Sequence, residues 1–203
     1  MDKMNAPASN IYAYQSTLKR SHRESLNGHA GKVYWFTGLS GAGKSTLANA
    51  LEMALHARGC RTYILDGDNV RLGLNKDLGF SDADRAENIR RIAEVSRLML
   101  DAGLVVITAF ISPFRRERDM ARALVGPGDF VEVFVDTPID VCEQRDPKGL
   151  YRMARSGKLA NMTGVDSAYE PPFTPEFVAH AGTQTVDAIV AELVQFVSAP
   201  HDA

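Results

Sequence analysis

Apolar residues along this chain fall into two patterns, short continuous runs and longer stretches with helical spacing. The short runs have the length and the β-branched and aromatic content of buried strands. They lie at residues 33–37, 62–65, 104–110 and 130–135, with a weaker one at 183–186. Helical spacing appears between them, for example at 47–55 and 89–100. The alternation predicts an α/β domain, a three-layer α/β/α arrangement with a mostly parallel five-stranded sheet.

Glycines and one acidic residue mark the expected helix ends. The first two long helices are predicted to stop at Gly59 and near Gly103, because glycine readily adopts the left-handed conformation that closes a helix. A last helix with apolar residues at 189–197 is predicted to start at Asp187, whose carboxylate can cap it.

A glycine-rich segment, GLSGAGKS at residues 38–45, lies between the first strand and the first long helix. Its glycines let phosphate oxygens approach backbone N–H groups closely. Lys44 adds a positive charge for the outer phosphates, and the Ser45 hydroxyl can reach Mg²⁺. The segment therefore predicts a P-loop for a nucleoside triphosphate with magnesium, in a kinase, a switch or a motor.

Length and charge limit the alternatives. The chain of 203 residues is 45% hydrophobic with a net charge of -2, which fits one globular domain and gives no overall attraction to nucleic acid or an anionic membrane. Residues 1–10 are small or polar and are predicted to be a disordered leader, followed by a single domain at 11–203.

Cysteine spacing and hydropathy indicate the cellular compartment of the protein. Cys60 and Cys142 lack metal-ligand spacing, which favours two ordinary thiols in a reducing compartment. Apolar runs are too short to span a bilayer, so we expect a cytoplasmic protein without a membrane or nucleic-acid partner.

Charged residues follow the second strand. Asp68 can accept a proton from a substrate hydroxyl while organising magnesium-bound water, and Arg71 can hold an anionic group. The alternative is a helix N-terminus with acidic capping residues.

Two further segments combine features of a substrate site. Phe80 precedes a helix on which Arg85 and Asn88 share a face, an arrangement suited to a planar base joined to an anion, unless Phe80 is core and the arginine is solvated surface. Ile111 and Ser112 follow the third strand, where the hydroxyl either touches substrate or starts a turn before proline.

Basic residues concentrate at 145–165. Four of them fall near one helical face, which favours a lid that closes over phosphates, although a solvated helix is the plainer alternative. They are Arg145, Lys148, Arg152 and Arg155.

In combination, these segments resemble the adenylyl-sulfate kinase (APS kinase) family over about residues 10–197. The most specific matches are 38–46, 66–71, 78–91, 111–115, 145–151 and 163–166. The resemblance implies transfer of the ATP γ-phosphate to the 3′-hydroxyl of adenosine 5′-phosphosulfate (adenylyl sulfate) in sulfate assimilation. It also implies Mg²⁺ and usually a homodimer, with ATP sulfurylase as a possible partner whose association the sequence leaves open.

The family pattern assigns residues to each role. For ATP it implies Gly38, Leu39, Ser40, Gly41, Ala42, Gly43, Lys44, Ser45, Thr46, Arg145, Lys148, Arg152 and Arg155. For adenylyl sulfate it implies Asp68, Asn69, Val70, Arg71, Phe80, Arg85, Asn88, Ile111, Ser112, Leu150, Thr163 and Gly164. Lys44, Asp68 and Ser112 are the implied catalytic residues, and Ser45 and Asp68 the implied metal ligands.

Some details depart from that pattern or are in dispute. Met162 stands where an aromatic residue is usual, and Met153 where a lysine is common. The family's serine is often described as a phosphoserine intermediate, whereas we expect Ser112 to line the substrate site during direct transfer.

Two other functions are weighed against this one. A different small-metabolite P-loop kinase would lack a use for Phe80, Arg85 and Asn88. A GTPase-like switch needs an Asn-Lys-x-Asp motif, which residues 75–78 do not match.

Overall fold

A computed structural model describes residue 12 and residues 14–197 of the chain. The strands are β1 (Lys32–Thr37), β2 (Thr62–Asp66), β3 (Val105–Ala109), β4 (Phe130–Val135) and β5 (Phe177–Ala179). They form one sheet in the order β2-β3-β1-β4-β5, and every neighbouring pair is parallel. The predicted α/β fold class is confirmed.

Helices cover both faces of this sheet. They are α1 (Arg20–Asn27), α2 (Lys44–His56), α3 (Gly67–Leu72), α4 (Asp82–Asp101), α5 (Arg115–Val125), α6 (Ile139–Arg145), α7 (Leu150–Arg155) and α8 (Val186–Leu193), followed by a 3₁₀ turn at Val194–Phe196. Among the described residues, none of the helices is both long and apolar enough to cross a membrane.

The central strand β1 is apolar from Val33 to Phe36 because both of its faces are covered. Tyr34 and Phe36 face the core beneath α2 and α8, whereas Val33 and Trp35 face the core beneath α4 and α5. Because both faces of β1 are buried, the strand cannot alternate apolar and polar residues. The carboxyl ends of β1, β2 and β3 then bring residues 38–45, 66–68 and 111–113 to one edge of the sheet.

The predicted fifth strand at 183–186 is wrong. That segment is a turn followed by the start of α8, whose first amides are capped by the Thr185 hydroxyl accepting a hydrogen bond from the Ala188 N–H at 3.3 Å. Asp187 therefore lies in the first turn of the helix and is not its cap. The edge strand is β5, only three residues long.

The basic segment is not one helix, so its four cations do not share a single helical face. α6 ends at Arg145 and α7 begins at Leu150. Pro147 disfavours helical geometry in the residue before it, and Gly149 has a φ of 67°, which side chains rarely adopt.

Two other predicted features need comment. The helices expected to stop at Gly59 and Gly103 have Ala57 and Ala102 as their cap residues, and the glycines follow with φ near 80°. The predicted leader at residues 1–10 lies outside the described residues.

Candidate active site

The P-loop places its glycines in conformations that other residues avoid. Gly38, Gly41 and Gly43 have φ values of 150°, 74° and 107°. A Cβ on Gly38 would lie 2.7 Å from the Val135 carbonyl oxygen, so this position also excludes a side chain. α2 begins directly after these glycines at Lys44, and its free N–H groups form an anion site.

Lys44 lies folded against the loop. Its Nζ donates hydrogen bonds to the carbonyl oxygens of Gly38 at 2.9 Å and Leu39 at 2.7 Å. Burial lowers the pKa of Lys44 to about 8. A bound polyphosphate would offset that desolvation, because an anion favours the charged ammonium.

The P-loop serine contacts Asp66 rather than Asp68. The Ser45 Oγ donates to Asp66 Oδ2 at 2.8 Å, while the other Asp66 oxygen caps α3 through the Asp68 N–H at 3.0 Å. The Asp68 carboxylate instead forms an ion pair with Lys148 on the basic segment. A hydroxyl and two carboxylates at this edge are the hard oxygen donors that Mg²⁺ prefers.

One cleft of about 880 Å³ brings most of the predicted site residues together. Those in its wall are Ser40, Gly41, Gly43, Lys44, Ser45, Thr46, Asp68, Arg71, Phe80, Arg85, Asn88, Ile111, Ser112, Arg145, Lys148, Leu150 and Thr163. The remaining predicted residues lie outside the wall: Gly38, Leu39, Ala42, Asn69, Val70, Arg152, Arg155 and Gly164.

Several of the residues outside the wall have other contacts. Val70 is buried in the core beneath α4 and α5. Arg155 pairs with Glu143 at 2.5 Å. Gly164 packs behind the loop, where an added Cβ would lie 2.9 Å from the Leu39 side chain.

Phe80 is a surface residue of the cleft and not part of the core. Its side chain is 63% exposed, and the Arg71 guanidinium lies 4.5 Å from the ring centroid. A ring held by a cation on one side and open to the cleft is a platform for a planar base.

Arg85 and Asn88 on α4 complete this half of the cleft. Arg85 donates to Thr163 Oγ1 at 3.0 Å and to the Asn161 carbonyl at 2.5 Å, which ties α4 to the loop after α7. Asn88 is buried, and its Oδ1 accepts from the Asn75 amide at 2.9 Å. Asn88 also lies in the wall of the cleft.

Ser112 has an unusual backbone conformation, with a φ of 38°. Its side chain is almost fully buried, and its Oγ accepts a hydrogen bond from the Trp35 indole N–H at 3.2 Å. The hydroxyl is therefore a fixed part of the wall.

Sequence reasoning missed two parts of the site. The first is Asp66, which no local pattern singles out, because its contact with Ser45 joins two separate strand ends. The second is an apolar part of the wall that includes Ala181, Val186 and Ile189, together with Gln184. Arg145 connects that wall to the P-loop by donating to the carbonyls of Ala181 at 2.9 Å and Ala42 at 3.3 Å.

The fold and the two halves of the cleft define a P-loop kinase with a second, small-molecule subsite. A sequence model of the family described as adenylylsulphate kinase matches residues 30–180. The chain belongs to that family, as its sequence motifs predict.

Individual relatives agree. An adenylyl-sulfate kinase from Citrobacter koseri is 60% identical over 188 residues, covering 93% of each chain, and one from Yersinia pestis is 60% identical over 91% of this chain and 86% of its own length. Among solved structures, the Mycobacterium tuberculosis APS kinase in complex with AMPPNP and APS has 46% identity and a TM-score of 0.78, covering 82% of this chain and 97% of its own. A gluconokinase from Sinorhizobium meliloti, 22% identical with a TM-score of 0.54, shares the fold alone.

Proposed function

We propose that this protein phosphorylates the ribose 3′-hydroxyl of adenosine 5′-phosphosulfate with ATP, giving 3′-phosphoadenosine 5′-phosphosulfate and ADP. The single observation that carries this proposal is the cleft that joins a P-loop to the Phe80, Arg85 and Asn88 surface, in a member of the adenylyl-sulfate kinase family. In the reaction, the 3′-oxygen forms a bond to the γ-phosphorus, the bond to the β,γ-bridging oxygen breaks, and the hydroxyl proton leaves.

The P-loop half binds the donor. Backbone N–H groups and the start of α2 hold the phosphates, and Lys44 leaves its two carbonyl partners to follow the γ-phosphate. Ser45 together with Asp66 and Asp68 would hold Mg²⁺. When bound, the ion supplies charge neutralisation at the β- and γ-phosphates.

The other half binds the acceptor. Phe80 stacks on the adenine, the Asn88 amide donates to the nucleoside, and Arg71 and Arg85 attract the phosphosulfate. Two nucleotides then lie in one cleft, with the acceptor ribose directed toward the P-loop.

Asp68 is placed to orient the 3′-hydroxyl and take its proton. Asp68 lies in the first turn of α3, directly after β2, and its carboxylate pairs with Lys148. When the lid at 145–165 moves, Lys148 would leave Asp68 and pair with the phosphoryl group that is being transferred. This one movement would free the Asp68 carboxylate and neutralise the charge that develops on the phosphoryl group.

Direct transfer needs no phosphoserine. Ser112 is 2% exposed and its hydroxyl already accepts the Trp35 N–H, which favours a role in shaping the acceptor site over attack on the γ-phosphate. Positioning and charge neutralisation supply most of the rate in phosphoryl transfer.

We also propose that the protein acts in the cytoplasm as a homodimer and receives adenylyl sulfate from an ATP sulfurylase. A solved hexameric APS kinase from Thiobacillus denitrificans is 32% identical with a TM-score of 0.63, covering 86% of this chain and 30% of its own, and its assembly is consistent with self-association. Light scattering on the purified protein tests the dimer, which a monomer mass at micromolar concentration would contradict.

A coupled ADP-release assay tests the proposed reaction. Adenylyl sulfate, AMP, shikimate and gluconate are compared as acceptors with ATP and Mg²⁺, and a Lys44→Ala variant measures background turnover. Of the four acceptors, we expect only adenylyl sulfate to support rapid ADP release. Faster turnover with shikimate or gluconate would assign the protein to another small-metabolite kinase class, and tight GTP binding without acceptor-dependent turnover would favour a switch.

A further inference from the structure

A buried arginine lies directly beneath the acceptor side of the cleft. Arg118, on α5, is 2% exposed and donates three hydrogen bonds in three directions. They reach the Ser112 carbonyl at 2.7 Å, the Glu170 carbonyl at 2.7 Å and the Glu132 carboxylate at 2.6 Å. One guanidinium therefore connects the loop after β3, the segment after residue 168 and the middle of β4.

The connection to Ser112 matters because of that residue's backbone. A φ of 38° is rare for a residue with a side chain and persists only where the surroundings hold it. Three side chains contribute: Arg118 donates to the Ser112 carbonyl, the Trp35 indole N–H donates to the Ser112 Oγ, and the Thr37 hydroxyl lies 3.3 Å from the Ser112 carbonyl oxygen and 2.7 Å from that of Ile111.

The same loop is fastened on its outer side. The Glu170 N–H donates to the Pro113 carbonyl at 2.8 Å, and the Glu170 carboxylate accepts from the Arg115 N–H at 2.8 Å. Because Arg118 also holds the Glu170 carbonyl, residues 111–115 and 169–171 are joined into one unit at the cleft wall.

We propose that Arg118 and Trp35 are positioning residues for the acceptor. They touch neither nucleotide but hold Ser112, and with it Ile111, in the conformation that the acceptor site requires. This inference rests on the proposed function, since it takes Ile111 and Ser112 as part of the adenylyl-sulfate subsite.

The chain offers a matched control. Arg122 lies one turn further along α5 and binds the other oxygen of Glu132 at 3.2 Å, together with Glu176 at 2.5 and 2.8 Å. Its hydrogen bonds do not reach Ser112 or Glu170. Arg122→Lys therefore weakens the same ion-pair network around Glu132 but leaves the hydrogen bonds from Arg118 to Ser112 and Glu170 in place.

The test compares Arg118→Lys with Arg122→Lys. Lysine keeps the positive charge near Glu132, but one ammonium cannot span three acceptors that a planar guanidinium reaches. Because small displacements of a binding loop are costly, we expect Arg118→Lys to raise the KM for adenylyl sulfate by about tenfold or more. The KM for ATP should stay within about twofold for both variants, and Arg122→Lys should leave both constants unchanged.

Trp35 supplies a readout that needs no turnover, since it is the one tryptophan in the sequence. Its emission should shift in Arg118→Lys in the same direction as in Ser112→Ala, which removes the hydrogen-bond acceptor, and should not shift in Arg122→Lys. The double variant Arg118→Lys/Ser112→Ala should show no larger emission shift than either single variant, because both changes act on the same contact between Trp35 and Ser112.

Each outcome decides the matter. The inference would be overturned if the KM for adenylyl sulfate and the KM for ATP rose together in both variants. It would also be overturned if Arg118→Lys left the KM for adenylyl sulfate unchanged. Should Arg118→Lys not fold, Trp35→Phe removes the indole N–H of the second anchor together with part of the buried ring. An acceptor KM equal to that of the wild type in this variant would count against the inference. If the wild-type protein does not phosphorylate adenylyl sulfate, the proposed function fails, whereas the emission comparison still decides whether Arg118 holds Ser112.

Discussion

The burial of Lys44 makes ATP binding dependent on pH. The unliganded ammonium is desolvated between the P-loop and the core, and its pKa is lowered to about 8. A triphosphate needs the charged form and restores a higher pKa when it binds. Affinity for the donor should therefore be full below pH 8 and fall as the pH rises through 8.

The size of the effect follows from that pKa. Unliganded Lys44 is about nine-tenths charged at pH 7 and about one-tenth charged at pH 9, so the apparent Kd for the donor should weaken about tenfold, roughly 1.4 kcal/mol, over this range. Binding should take up about half a proton at pH 8 and nearly a whole proton at pH 9. The phosphates contribute little, since their second ionisation near pH 6 is complete.

Calorimetric titration with AMPPNP and Mg²⁺ measures both quantities. Titrations at pH 7, 8 and 9 in two buffers with different ionisation enthalpies give the Kd and the number of protons taken up. Lys44→Arg is the control, because a guanidinium stays charged throughout and its Kd should not change with pH. An unchanged wild-type Kd from pH 7 to 9, with no proton uptake, would refute the reasoning.

Three further predictions concern the acceptor and the chemistry. Phe80→Ala should raise the KM for adenylyl sulfate about tenfold or more, because stacking of a base on an aromatic ring contributes roughly 1–3 kcal/mol; an acceptor KM that did not move would remove Phe80 from the site. Asp68→Asn should lower kcat by about 10²–10⁴ in the coupled assay, as expected for loss of a general base, and near-normal kcat would exclude that role. Ser112→Ala should retain kcat within about tenfold of wild type, and mass spectrometry during turnover should show no phosphorylated wild-type enzyme; abolished turnover together with a transferable phosphate on Ser112 would mean a covalent step.

Local sequence patterns were enough for the fold and the donor half. Three of the strands, β1, β3 and β4, are runs buried on both faces, and the edge strand β2 keeps an apolar run although Tyr63 is exposed. The P-loop combines glycine spacing, Lys44 and the start of α2 in one continuous segment. β5 was misplaced because three residues at a sheet edge carry almost no periodic signal. The turn at 183–186 contains a valine and threonines, which resemble a strand until Thr185 is seen to cap α8.

Contacts between distant residues account for the rest. Asp66 reaches Ser45 only because β2 and the P-loop end at the same edge of the sheet. Arg118 appears in the sequence as one arginine of a charged helix, yet it is buried and paired with Glu132 on β4. The lid differs from the single helix that its basic residues predict, and the reason is local. Pro147 and Gly149 interrupt the helix between Arg145 and Leu150.

The destination of the γ-phosphate tests the central claim most directly. The protein is incubated with ATP, Mg²⁺ and adenosine 5′-phosphosulfate, and the products are followed by phosphorus NMR with proton coupling to the ribose. We predict one new phosphate on the 3′-oxygen for each ADP released. A phosphate at any other position, or ADP released with inorganic phosphate alone, would contradict the proposed function.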